Sequence, residues 1–439
     1  MIEYRNLRVA LLGAGSVGSQ TARLLLDHAD ELALRVGARL ELAGIAVRNL
    51  DAKRDADLPA ELYTTDAAAL IDGADIVVEL MGGIEPARSY IIQALTSGAD
   101  VITANKALLA EHGDELFDIA DQVGAQLYYE ASVAAAIPIL RPLRDSLAGD
   151  RINRVMGIVN GSTNYILDRM DRFGDSAEDA ARVALELGFL EADPTLDVEG
   201  YDAAQKVTIL ANLAFHTSVP VEQVYREGIT EVTADQVNAA REAGYAIKLL
   251  AIAERLPDPE TGVESVSARV YPALISRDHP LATVHEGKNA VFVEAEAAGS
   301  LMFYGAGAGG VETASAVLGD VVSAARRHLA GGPGVALKAR ADLPVVPVGA
   351  IETRYQFTLE VSDEPGVLAR VASVLATHGV SVETVVQSAS VVTNGVRTAT
   401  LVIGTHSAQE SALSATVKKL AALSVVTAVK SVLRIEGIS

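Results

Sequence analysis

The stretch Arg8-Val9-Ala10-Leu11-Leu12-Gly13-Ala14-Gly15-Ser16-Val17-Gly18-Ser19-Gln20 decides the fold. Residues 8–12 are a short apolar run suited to a buried strand, and residues 20–28 have helical spacing. Between them lies a G-x-G-x-x-G turn. Gly13 permits the tight turn, Gly15 lets a pyrophosphate approach the backbone, and Gly18 lets helix and strand pack closely. The helix start, at Ser16 and Val17, offers free N–H groups to the phosphates. A lone glycine pattern is weak evidence. With a strand before it and a helix after it, the pattern predicts dinucleotide binding.

Working outward, residues 41–47, 75–80, 101–103 and 126–130 read as further strands. A helix over 88–96 stands between two of them, with Pro86 suited to a first-turn position. Strands alternating with helices imply an α/β Rossmann-type doubly wound parallel sheet. Ligands of such sheets bind at the carboxyl ends of the strands, where Gly82-Gly83, Thr103 and Lys106 fall. Lys106 reads either as a proton donor beside a nicotinamide or as a phosphate-binding or surface lysine. The second strand ends in Ala46-Val47-Arg48. An acidic residue there would bind the ribose hydroxyls of NAD. Arg48, with Lys53 and Arg54 close behind, instead suits a 2′-phosphate, so NADP(H) is the preferred cofactor and NAD(H) stays open. The plainer reading of Arg48 is a solvated side chain.

Composition narrows the function classes. The chain has 439 residues, half of them hydrophobic, enough for two to four packed domains. A net charge of −21 repels phosphate backbones and anionic lipid, which argues against nucleic-acid and membrane partners. No long apolar run is free of charges and glycines, and the N-terminus lacks a signal-peptide pattern. A soluble cytoplasmic protein is expected. There is no cysteine, so disulfides, thiolate metal sites and thioester chemistry are excluded together. Eight scattered histidines with no HxxxH pair argue against a catalytic zinc.

In the middle of the chain, a strand over 155–159 runs into Asn160-Gly161-Ser162-Thr163-Asn164. This small polar cluster suits a turn that binds a carboxylate or a nicotinamide, with Thr163 as a donor, and equally suits a capping sequence. A helix opened by Ser176 and Asp179 ends at Gly188. The following stretch is acidic: residues 185–206 hold six carboxylates and one lysine. A helix beginning near Gly200 and running towards His216 would put Asp202 and Lys206 on one face. Taken alone, this is a solvated acidic loop followed by an ordinary ion pair. Residues 247–253, 267–273 and 291–296 are strand-like and imply an α+β domain with an antiparallel or mixed sheet. Glycine-rich residues 304–310 then open a helix over 313–329 that should return to the nucleotide domain.

Residues 331–350 have the glycine and proline content of a linker. Beyond them come a strand, the turn Asp363-Glu364-Pro365-Gly366, a helix, a strand, the hairpin turn Asn394-Gly395, a strand, a helix and a strand. This βαββαβ order implies a ferredoxin-like fold.

Together these pieces resemble homoserine dehydrogenase over essentially the whole chain. The carriers are the glycine turn at 13–18, Thr103-Ala104-Asn105-Lys106, Glu130-Ala131-Ser132-Val133, Gly161-Ser162-Thr163-Asn164 and, most specific, residues 188–206. The resemblance implies that Glu191 and Asp202, with Asp197 beside them, hold the amino-acid end of the substrate. It makes Lys206 the catalytic proton donor and Lys106 the second active-site lysine, while Gly188 and Gly309 contact the cofactor through their backbone. Glu130, Val133, Ala135 and Ile137 match a sodium site built mostly of carbonyls. Asp193 and Glu199 read as loop structure. The sequence departs from the family at Ala135 and Ala136, where glycine is common, at Ser162, where threonine is usual, and at Glu312, where proline or a small residue is usual.

The C-terminal module resembles an ACT regulatory domain, with residues 363–368 as its loop signature. It implies feedback by threonine, or else a dimerisation module without ligand. The implied layout is a nucleotide domain over 1–132 completed by a helix at about 311–330, a substrate and dimerisation domain over 133–310, the linker 331–350 and the ACT-like domain over 351–439. A homo-oligomer, dimer or tetramer, is expected. With no kinase-sized N-terminal region, the monofunctional form is expected. The implied reaction is reduction of L-aspartate 4-semialdehyde to L-homoserine. Two alternatives stand beside it. One is another oxidoreductase of amino-acid aldehydes or amines, although the phosphorylating semialdehyde dehydrogenase is ruled out by the missing cysteine. The other is a catalytically silent amino-acid sensor, which would have no need of Lys106, Glu191, Asp202 and Lys206 together.

Overall fold

The computed structural model describes residues 6–52, 54, 56–190, 193–258, 261–331, 341–388, 391–393 and 396–437. Lys53, Glu191, the Asn394-Gly395 turn and much of the 331–350 linker lie outside the described residues. The chain forms two compact units. The first takes in Met1–Gly161, Asp202–Glu222 and Gly287–Leu343, and the second takes in Ser162–Tyr201, Gln223–Glu286 and Pro344–Ser439.

In the first unit six strands, β1 Asn6–Leu12, β2 Arg39–Ala46, β3 Tyr63–Thr64, β4 Ile76–Glu79, β5 Asp100–Thr103 and β6 Leu127–Tyr128, lie in the order β3-β2-β1-β4-β5-β6. Every neighbour pair is parallel. The order reverses at β1, and Gly13 follows that strand directly, so the glycine turn stands at the switch point where such sheets take ligands. Leu7, Val9, Leu11, Ile76, Val78 and Ile102 are fully buried, as strands covered on both faces require. The helices Ser16–Asp27 (α1) and Gly310–Ala330 share this core: Ala316, Val317, Val321, Ala324 and Ala325 pack with Leu25 and Leu32. The short β3 and the helix Ala67–Asp72 were not legible in the sequence.

The same unit holds an antiparallel set in which Lys288–Ala295 pairs with Ile152–Ile158 on one side and Gly299–Ala306 on the other. Tyr304, Gly305 and Ala306 therefore belong to a strand rather than to a glycine loop. The short helix Ala131–Ala134 breaks at Ala135, which stands at φ 48. Helical backbone resumes after Pro138 and runs, π-helical over Pro142–Ser146, up to Leu147.

The second unit contains a long hairpin, Tyr245–Pro257 against Glu264–Ser276, joined by a parallel bridge to Tyr225–Arg226. Its C-terminal part has the expected βαββαβ order. Strand Glu352–Ser362 lies between Val426–Glu436 and Val396–Thr405, and Val382–Gln387 flanks the latter, all antiparallel. Helices Val367–Thr377 and Glu410–Ala421 cover one face, and Phe357, Leu359, Val371, Leu401, Ile403, Leu413 and Leu420 form a separate core. Strand Val426–Glu436 also pairs in parallel with the hairpin, placing Arg434 opposite Ala273. The sheet of this unit is therefore mixed. Among the described residues no helix is long and apolar enough to cross a membrane.

Candidate active site

The helix Tyr201–Phe215 carries the centre of the site. Gly200, at φ 80, closes the one-turn helix Thr195–Val198 and lets the chain start a new helix at once. Asp202 and Lys206, one turn apart on that helix, are both buried. Lys206 Nζ donates to the Val159 carbonyl at 2.6 Å and to Asp202 Oδ2 at 2.7 Å. Asn160 Nδ2 donates to the same Oδ2 at 3.0 Å, and Lys106 Nζ lies 2.8 Å from Asp202 Oδ1. One carboxylate is thus held between two ammonium groups. Burial pushes the Asp202 carboxyl up, but the charges and hydrogen bonds of Lys206 and Lys106 overcome that and hold it well below the usual carboxylate range. The two lysines differ in exposure: 39% of the Lys106 side chain is accessible against 11% for Lys206. The solvated-pair reading of Asp202 and Lys206 is therefore wrong.

Lys106 is the first residue of the helix Lys106–Val123, which Asn105 caps by accepting from the Leu108 N–H at 3.2 Å. Asn105 Nδ2 also donates to the Gly83 carbonyl at 2.6 Å, tying the β4 and β5 ends together. The Thr103 hydroxyl donates to Glu79 at 2.7 Å and accepts from the Asn105 N–H at 3.0 Å. Glu79 was missed in the sequence. It is fully buried at the end of β4, and it also accepts from the Met81 N–H at 2.7 Å. Burial raises its pKa. The signal was there, since a carboxylate in the apolar run before Gly82-Gly83 needs buried partners.

The glycine turn has the shape of a phosphate cradle. A Cβ on Gly18 would stand 2.1 Å from the Gly13 carbonyl oxygen, and one on Gly13 would stand 2.7 Å from that of Leu80. A Cβ on Gly15 meets nothing within 4 Å, so the space in front of it is open. The helix starting at Ser16 has no side-chain cap, leaving its first N–H groups for a ligand. A Cβ on Gly310 would lie 2.5 Å from Ser16 Oγ, so the second glycine run closes on the first. Gly309 stands at φ 124, with the Glu312 carboxylate folded against it. Arg48 is exposed beyond β2. Arg54 instead braces its own loop, donating to the Leu50 and Ala52 carbonyls and lying over the Tyr63 ring at 4.2 Å.

In the second unit Thr163 is buried in the first turn of the helix Gly161–Phe173. Its neighbour Ser162 donates to the Phe189 carbonyl, which ties this turn to Gly188 at φ 76. Asp197 sits in the one-turn helix Thr195–Val198, and Asp193 caps that turn by accepting from Thr195. Lys248, missed in the sequence, is buried and donates to Asn164 Oδ1 at 2.9 Å and the Val284 carbonyl at 2.6 Å. Burial brings its pKa down to about 8 against the pull of Asp168 and Asp171. A lone lysine inside an otherwise apolar strand was its signal.

The Glu130 carboxylate is occupied by the N–H groups of Ile139, Leu140 and Arg141 at 2.6–2.8 Å, and its own N–H donates to Asp320 at 2.8 Å. Any part Glu130 takes in a cation site is left to its carbonyl. Val133 lies in the short helix that follows, Ala135 at φ 48 just after it and Ile137 two residues further on. Among the described residues no three acidic or histidine side chains cluster as metal ligands.

A glycine cradle at the switch point of a parallel sheet, with a buried lysine–carboxylate–lysine set in the same unit, defines a dehydrogenase dependent on a pyridine nucleotide. Residues 13–130 match the model of the homoserine dehydrogenase NAD-binding domain, 138–322 that of homoserine dehydrogenase and 355–425 that of the ACT domain. A homoserine dehydrogenase of Corynebacterium glutamicum is 51% identical over 98% of this chain and 95% of its own. The crystal structure of one from Thiobacillus denitrificans, 38% identical, matches with a TM-score of 0.89 over 98% of both chains. A hyperthermophilic archaeal homoserine dehydrogenase in complex with NADPH, 28% identical, matches 75% of this chain and 99% of its own with a TM-score of 0.60. The chain belongs to the homoserine dehydrogenase family and carries an ACT domain, the kind of module that binds amino-acid effectors.

Proposed function

We propose that the chain interconverts L-aspartate 4-semialdehyde and L-homoserine, with Lys206 as the group that gives and takes the proton at the substrate oxygen. The observation that carries this reading is the shared carboxylate: Asp202 fixes Lys206 and Lys106 from opposite oxygens. When bound, the nicotinamide supplies or accepts the hydride. Lys206, aimed by Asp202 and the Val159 carbonyl, protonates the aldehyde oxygen in reduction and deprotonates the alcohol in oxidation. Lys106, the more exposed lysine, exchanges the proton with solvent through the pair. Asp202, Asp197 and Glu191 meet the substrate's ammonium group, and Thr163 serves its carboxylate.

Gly13, Gly15, Ser16, Val17 and Gly18 hold the pyrophosphate, with Gly188, Gly309, Thr103 and Lys106 completing the cofactor site. Arg48 favours NADP(H) over NAD(H). The carbonyls of Glu130, Val133, Ala135 and Ile137 bind a sodium ion that stiffens the broken helix, and the positive φ of Ala135 supports a specialised backbone there. The ACT domain over 351–439 takes threonine as inhibitor, the enzyme is a homodimer or homotetramer, and it works in the cytoplasm. One spectrophotometric series tests the reading: NADP or NAD with L-homoserine, with and without L-threonine. Reduced cofactor absorbing near 340 nm is expected, more with NADP and less with threonine. No absorbance change with either cofactor would instead favour an amino-acid sensor.

A further inference from the structure

Arg434 lies on the last strand of the ACT domain and is buried. Its guanidinium divides between two carboxylates. It donates to both oxygens of Glu227 at 2.9 and 3.0 Å, and to Glu410, at the start of an ACT helix, at 2.8 Å. The rings of Tyr225, Tyr271 and Tyr355 surround it at 5.5, 4.4 and 5.6 Å. Arg434 is the buried partner, 9% accessible, while Glu227 is 38% accessible, so moving the strap away would leave the buried guanidinium short of a partner.

Glu227 belongs to a short strap, residues 225–229. Its N–H bonds the Val270 carbonyl at 2.8 Å. Arg226, beside it, donates to the Glu199 carbonyl and lies 3.4 Å above the Tyr201 ring. A Cβ on Gly228 would stand 2.3 Å from the Val198 oxygen, and the Ile229 N–H bonds that same oxygen at 2.7 Å. The strap thus grips the ACT domain's Arg434 at Glu227 and residues 198–201 at Arg226, Gly228 and Ile229. Tyr201 is the first residue of the helix that bears Asp202 and Lys206.

We propose that residues 225–229 couple the ACT domain to the start of the catalytic helix, with Arg434, Glu227 and Arg226 as positioning residues. A displacement of the last ACT strand must break the forked pair between Arg434 and Glu227 or carry the strap with it, and the strap sets where Tyr201 begins the helix. This rests on the reading that Lys206 acts on substrate and that the ACT domain binds an amino acid.

The test uses the full-length enzyme and two variants, Glu227→Gln and the milder Tyr225→Phe, which removes a hydrogen bond to Glu227. L-threonine is the probe, with binding and inhibition measured separately. Uninhibited kcat is expected within about threefold of wild type and the threonine Kd unchanged, while in Glu227→Gln the inhibition reached at saturating threonine falls at least severalfold. Inhibition unchanged in both variants overturns the proposal. So does loss of threonine binding together with inhibition, which would place Glu227 in effector binding or folding rather than coupling. Hydrogen exchange of the peptide spanning 195–206 needs no effector. It is expected to quicken severalfold in Glu227→Gln, and unchanged exchange overturns the coupling even in an enzyme that threonine does not inhibit. A wild type insensitive to threonine refutes the threonine reading, not the strap.

Discussion

Lys106 and Lys206 reach the same carboxylate from different elements, one from the first residue of the helix Lys106–Val123 and the other from within the carboxylate's own helix. Asp202 therefore serves two cations with one buried charge. Asp202→Asn should leave Lys206 buried without its counter-charge. Turnover is expected to fall by about 10²- to 10⁴-fold, the usual range for a disabled acid–base group. Stability should drop by roughly 3–5 kcal/mol, the range for a broken buried pair. Steady-state kinetics with urea unfolding would measure both. An active, fully stable variant would mean the pair is ornamental.

Gly15 and Gly18 should fail differently. A methyl group on Gly18 collides with the Gly13 carbonyl, whereas one on Gly15 meets only open space. Gly18→Ala is expected to lower the melting temperature by several degrees without any ligand. Gly15→Ala should melt like wild type but bind NADPH at least tenfold more weakly, because its methyl group would occupy the place proposed for the phosphate. Thermal unfolding with and without NADPH separates the two.

Arg48 follows β2 and is exposed, where it is free to meet a 2′-phosphate. Arg48→Ala is expected to raise the Kd for NADPH by about tenfold, roughly 1.4 kcal/mol, and to leave that for NADH unchanged. Equal losses for both cofactors would remove Arg48 from the choice between them.

Asp320 gives a stability signature. Burial pushes its carboxyl up to about 7, against the opposing pull of Arg141. Between its ordinary value of 3.8 and about 7, the folded protein holds a proton that the unfolded chain has released. Stability from this group is therefore full below pH 3.8 and is lost as pH rises through 7. Relative to Asp320→Asn, wild type should lose on the order of 4 kcal/mol across that window. Urea unfolding of both proteins from pH 4 to pH 8 checks the sign. A difference that is flat or grows with pH would contradict it.

Much of this was legible in the sequence because local rules and tertiary demands agree. The strand–glycine–helix order around residues 8–20 allowed one reading, and the βαββαβ order after residue 351 another. Asp202 and Lys206 were found as a helical pair, but spacing alone did not show them buried or show Lys106 on the same carboxylate. That depends on Asn105 capping a helix at one strand end, a contact across nearly a hundred residues. Glu79 and Lys248 escaped because single charges in apolar strands declare only that a partner exists, not which one.

The most direct test of the account is Lys206→Ala, with turnover of L-aspartate 4-semialdehyde and NADPH affinity measured on the same preparation. With Lys206 as the proposed proton donor, set apart from the glycine cradle, kcat should fall by at least about 10²-fold while the NADPH Kd stays within threefold. A kcat within tenfold of wild type, or a loss explained wholly by NADPH binding, would contradict it.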